Sequence, residues 1–119
     1  MKPKKDLFWI GSSDKDLSKF PETVRESATF YLDLIREGDK PEKEKVLKGF
    51  NGASVRELKL NGRAGTFRVV YTVQFENAIY VLHAFQKKST KGIKTSKQDI
   101  DLIKQRLQLA LSDYETRSF

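Results

Sequence analysis

A chain of 119 residues has the length of one ordinary domain, which buries roughly two thirds of the surface its unfolded chain exposes, so one real core is expected. Twenty-three Lys and Arg against sixteen Asp and Glu give a formal charge of +7, which makes nucleic acid the leading class of partner. The absence of cysteine and the single histidine argue against a disulfide framework, thiolate chemistry and a His/Cys metal site. No apolar run approaches the roughly 20 residues of a membrane span, and Leu7 to Ile10 is far too short for a signal peptide, so a cytoplasmic chain with no membrane role is expected.

Leu7, Phe8, Trp9 and Ile10, closed by Gly11, Ser12 and Ser13, suit a short buried strand at the edge of a sheet. Asp14 to Phe20 can make one helical turn before Pro21, which suits the first turn of the helix that follows. In that helix Val24, Ala28, Tyr31 and Ile35 recur at helical spacing, with Phe30 and Leu34 widening the stripe. It is predicted over Glu22 to Glu37, with Gly38 as its stop. Asp39 to Lys48 reads as a short helix or a loop, and Gly49 to Gly52 as a breaker.

Alternation returns over Val55 to Leu60, and after the turn Asn61 to Gly65 a long strand is predicted over Thr66 to Phe75. Its Phe67, Val69, Tyr71, Val73 and Phe75 fall on one face and Thr66, Arg68, Val70, Thr72 and Gln74 on the other. Ala78 to Gln86 completes an antiparallel meander. A basic loop over Lys87 to Lys94 leads to a capping box of Thr95 and Gln98. The helix after it has Asp99 and Asp101 at its positive end and docks through Ile100, Ile103, Leu107 and Ala110, leaving Asp113 to Phe119 as a tail. The predicted architecture is a single α+β domain, a meander of three or four strands packed with N-terminal and C-terminal helices.

The meander and the loop after it collect Arg56, Lys59, Arg63, Arg68, Lys87, Lys88, Lys91 and Lys94. Most of them can converge at one end of the sheet, as a phosphate-tracking groove requires, with Phe85, Tyr71 or Tyr80 as a face for an unstacked base. The plainer alternative is a solvated basic face over an aromatic core. Arg68 interrupts an apolar strand between Phe67 and Val69, where its guanidinium can hold a phosphate through two hydrogen bonds. His83 lies between Leu82 and Ala84; its type suits acid or base work near neutrality, although strand parity beside Val81 and Phe85 equally allows a core histidine. Lys87 and Lys88 stand at the strand end, where side chains leave the sheet for a ligand or simply for solvent.

The stretches Val55-Arg56-Glu57-Leu58, Gly65-Thr66-Phe67-Arg68-Val69-Val70-Tyr71, Leu82-His83-Ala84-Phe85-Gln86-Lys87-Lys88 and Lys94-Thr95 resemble the RelE/HigB toxin superfamily, and within it the phage-derived Gp49-like branch of HigB-type toxins. The likeness spans about residues 20 to 110, and Met1 to Lys19 is an atypical extension. It implies a RelE-like fold and a toxin of a two-component toxin–antitoxin system that cleaves mRNA, usually on the ribosome, without cofactor or metal. It also implies an adjacently encoded antitoxin, typically of the helix-turn-helix type. In such a reaction Arg68 would stabilise the phosphorane charge and Lys59, Arg63, Lys87 and Lys88 would position the backbone. Lys91 and Lys94 would bind RNA beside them, and His83 or a lysine of lowered pKa would exchange protons. Arg68→Ala is then expected to abolish toxicity while preserving the fold. Competing readings are a ParE-like toxin that binds DNA gyrase and cleaves nothing, and a non-enzymatic RNA-binding module.

Overall fold

The computed structural model describes residues 4–50, 52, 54–87 and 95–119. Along the chain come β1 (Asp6–Trp9), α1 (Ser13–Ser18), α2 (Glu22–Arg36), β2 (Glu44–Val46), β3 (Val55–Gly62), β4 (Gly65–Thr72), β5 (Ala78–Lys87) and α3 (Lys97–Thr116). Among the described residues the five strands make one sheet in the order β1-β5-β4-β3-β2, with β1 parallel to β5 and every other pairing antiparallel.

The sheet is covered on both faces, and strand alternation decides what each face carries. Leu58, Leu60, Phe67, Val69, Tyr71, Ile79 and Val81 meet Val24, Ala28, Leu32 and Ile35 of α2. On the other face Val55, Val70, Ala78, Tyr80 and Leu82 meet Ile103 and Ala110 of α3. The β1 strand and the residue after it serve both cores, Leu7 and Trp9 towards α2 and Phe8 and Ile10 towards α3, which is why Leu7 to Ile10 is an unbroken apolar run.

Helix α2 stops where Gly38 allows it. At φ +95° its N–H bonds the carbonyl of Ile35 while that of Asp39 bonds Leu34, the paired C-terminal bonds that satisfy orphan carbonyls. Its buried stripe runs through Leu32, whereas the predicted Phe30 is 60% exposed and Tyr31 only partly covered. The segment expected as a short helix or loop contains β2, held by a contact that periodicity cannot register. The buried carboxylate of Glu44 accepts hydrogen bonds from the Tyr71 hydroxyl and, at 2.9 Å, from Arg56 Nη1. Strand β4 ends at Thr72, so Phe75 leaves the face predicted for it and joins the α3 core. The cap of α3 is Ser96, one residue later than the predicted Thr95, and it pairs with Asp99 instead of Gln98. The helix itself continues to Thr116, through most of the expected tail.

Two consequences are measurable. A Cβ on Gly62 would lie 2.7 Å from Cγ2 of the buried Val24, so Gly62→Ala forces β3 and α2 apart. It is expected to destabilise by about 1–3 kcal/mol in urea unfolding, and an unshifted midpoint would contradict this packing. On the α3 side, Tyr80 is buried and donates to Asp113 Oδ2 at 2.5 Å, and Arg117 Nε donates to the same oxygen at 2.6 Å. Burial first, then the bond to Asp113, pushes the Tyr80 phenol up to about 12. The unfolded phenol ionises near pH ~10, so this stabilisation is complete below that value and is lost as pH rises towards about 12. Wild type should therefore lose more stability than Tyr80→Phe between about pH 9 and about pH 11, and parallel losses would contradict the assignment.

Candidate functional site

The charge is concentrated along the chain. Residues 45–95 hold ten Lys and Arg against two Asp and Glu, a net +8, while the remainder holds thirteen against fourteen, a net −1. Register then gathers part of this charge on one face. Lys59 of β3 lies opposite Arg68 of β4, which lies opposite Phe85 of β5, and Lys87 pairs with Thr66 on the same parity. Glu57 stands two residues before Lys59 and shares their face, the one that α3 covers only in part.

At this end of the sheet a cleft of about 590 Å³ opens. Glu57, Lys59 and Arg68 form its floor, the segment Lys45, Val46, Leu47, Lys48 and Gly49 one wall, and Thr95 with Ile100 the other. Arg68 is only 3% exposed, and its Nη1 forms an ion pair with Glu57 Oε1. Thr95 Oγ1 donates to the other carboxylate oxygen at 3.3 Å. An ionised carboxylate offers about four acceptor positions, so these two bonds fix Glu57 and leave capacity towards the cleft. The Lys87 ammonium is held below its ordinary value by burial first, then by Arg68 and Lys59, with Glu57 opposing them. The arrangement joins a fixed proton acceptor to a cation cluster containing one lysine that gives up its proton more readily than a free one.

Of the residues expected from sequence, Arg68 and Lys59 line the cleft, Arg68 with its guanidinium turned to Glu57 instead of to solvent, while Lys87 does not line it but lies near enough for the charges of Arg68, Glu57 and Lys59 to act on its ammonium. Arg63 is exposed in the β3–β4 turn and does not line the cleft. Lys88, Lys91 and Lys94 lie outside the described residues. Arg56 is on the opposite parity, bound to Glu44. Tyr71 and Tyr80 are fully buried, so neither offers a face to a base; burial also pushes the Tyr71 phenol far above its usual range. Phe85 is half-buried and stacks on His83, with ring centroids 4.4 Å apart.

His83 does not line the cleft. Parity fails at β5 because of a bulge: Val70 pairs with His83 but Tyr71 with Val81, so Leu82 and His83 both turn to the α3 side and Val81 to the other. The freed carbonyl of Leu82 accepts from Arg106 Nη1 of α3 at 2.9 Å. Sequence reasoning missed Glu57, Lys45, Lys48 and Thr95. For Glu57 a signal existed, since it is one of only two acids in the basic segment and shares strand parity with Lys59.

No curated protein matches the chain. Among solved structures, an arginine double mutant of Escherichia coli toxin RelE in the free state superposes with a TM-score of 0.56 at 18% identity, covering 90% of this chain and 98% of that one. The Mycobacterium tuberculosis toxin–antitoxin complex RelBE2 gives 0.48 at 20% identity, covering 71% of this chain and 100% of that one. The sequence profile of the phage-derived Gp49-like proteins matches residues 15–108, which is most of the chain and includes the whole floor of the cleft. The chain belongs to the phage-derived Gp49-like family, and its fold is that of the RelE toxin superfamily.

Proposed function

We propose that this protein is the toxin of a toxin–antitoxin pair and acts as a metal-independent endoribonuclease on ribosome-bound mRNA. The observation that carries the reading is the cleft floor, where the carboxylate of Glu57 is fixed by Arg68 beside Lys59, with Lys87 next to the floor and close enough to feel all three charges. In the reaction the RNA 2′-oxygen bonds to the neighbouring phosphorus and the bond from phosphorus to O5′ breaks. Glu57 takes the 2′-hydroxyl proton, Lys59 and Lys87 face the charge that builds on the phosphorane, and Lys87 gives its proton to the departing O5′. Arg68 holds Glu57 in place from beneath and adds its own positive charge. These cations supply the electrostatic stabilisation that a metal gives in other nucleases. Lys45 and Lys48 on the wall extend the positive surface along the RNA backbone. An antitoxin with an acidic segment fits the same surface and would silence it by covering the cleft.

Incubating the purified chain with a reporter mRNA, with and without ribosomes, tests the reading. The expected products carry a 2′,3′-cyclic phosphate and a 5′-hydroxyl, and form in quantity only when ribosomes are present. Products with 5′-phosphates, or intact mRNA in both reactions, would overturn it.

A further inference from the structure

Beside the cleft runs a series of contacts in which the lone histidine takes part without touching the cleft. His83 is 8% exposed, its Nε2 lies 2.8 Å from Asp99 Oδ1, and its ring is stacked on Phe85. Its Nδ1 is buried with no hydrogen-bond partner among the described residues. Asp99 sits in the first turn of α3. Its other carboxylate oxygen accepts from Ser96 Oγ at 2.7 Å, and its backbone N–H donates back to that hydroxyl at 3.2 Å, which closes the helix cap. Thr95, one residue before the cap, donates to Glu57. Among the described residues the imidazole is thus engaged through Nε2, stacked on one side and buried without a partner at Nδ1, and it does not line the cleft. Its remaining influence on the site is mechanical, through the place where α3 begins.

We infer that His83 is a positioning residue for Glu57, acting through Asp99 and the Ser96 cap to hold Thr95 against the carboxylate, and exchanges no proton in the reaction. The inference rests on the ribonuclease reading for its effect on rate, but the contact itself is open to an independent test. The discriminating substitution is His83→Gln, whose amide keeps a donor at about the reach of Nε2 and has no proton to exchange near neutrality.

The experiment measures kcat and KM for ribosome-dependent cleavage together with amide hydrogen exchange over residues 95–100, in wild type, His83→Ala and His83→Gln. His83→Ala is expected to lower kcat by about tenfold to a hundredfold with little change in KM, and to speed exchange at the start of α3. His83→Gln is expected to restore most of both. Asp99→Asn, which keeps the cap residue and weakens the pair, should show the same selective loss of kcat and stands in if His83→Ala does not fold. A His83→Gln protein with protected amides but the activity of the alanine variant would overturn the inference in favour of proton transfer by the imidazole. Full activity in His83→Ala would overturn it as well. If wild type cleaves no RNA, the ribonuclease reading falls and exchange alone decides: unchanged protection in His83→Ala would remove the positioning role.

Discussion

Arg68→Ala is expected to abolish RNA cleavage and to cost about 3–5 kcal/mol of folding stability, a large part of the roughly 5–15 kcal/mol of an ordinary domain. From sequence alone the same change should spare the fold, because a charge within an apolar strand reads as one aimed at a ligand. Burial reverses that expectation. The side chains of Arg68 and Glu57 are 4% and 9% exposed, so removing the guanidinium leaves a nearly buried carboxylate without the cation it is paired with. Loss of toxicity in this variant would therefore prove little by itself. The informative partner is the double variant Arg68→Met with Glu57→Leu, in which two apolar side chains replace the buried pair. Urea unfolding should show much of the lost stability restored, while cleavage remains absent. If Arg68→Ala unfolds at the wild-type midpoint, the ion pair does not support the sheet and the reading of Arg68 as a phosphate ligand replaces the structural one.

Glu57→Gln is expected to lower kcat by about a hundredfold to ten-thousandfold with little change in KM, as loss of a general base does. The amide keeps the shape of the carboxylate and a carbonyl oxygen for the Thr95 hydroxyl, but accepts no proton from a 2′-hydroxyl. Arg68 then faces a neutral partner, so a modest stability loss accompanies the change, and unfolding must be measured beside the rate. Cleavage within about threefold of wild type would move the proton acceptor away from Glu57 and leave the cleft a binding surface.

Much of this architecture is legible in the residues themselves. Gly38 marks the end of α2 because its positive φ is available at no steric cost, and the parity of β4 places Phe67, Val69 and Tyr71 opposite Arg68 and Val70 because strand side chains alternate. The α3 docking residues were visible for the same kind of reason. What escaped depends on contacts between distant segments. The three residues of β2 carry too short a pattern to be read and are fixed by Arg56 of the adjacent β3 and by Tyr71 of β4, one strand further on. The bulge at Leu82 puts Val81 on the face opposite His83 and Phe85, and nothing local announces it. Thr95 and Ser96 both suit a cap, and the one left outside the helix is the one that reaches Glu57. The site is therefore half legible: its cations stand out against an apolar strand, whereas its carboxylate reads as an ordinary strand residue without the ion pair to Arg68.

The central claim, that the Glu57 cleft cuts translated mRNA, is tested most directly by inducing wild type and Glu57→Gln in growing bacteria and mapping a reporter transcript by primer extension. The account predicts growth arrest with cuts confined to translated sequence for wild type, and neither arrest nor cuts for a stably expressed Glu57→Gln. Arrest with an intact transcript would contradict it and direct attention to a protein target such as gyrase.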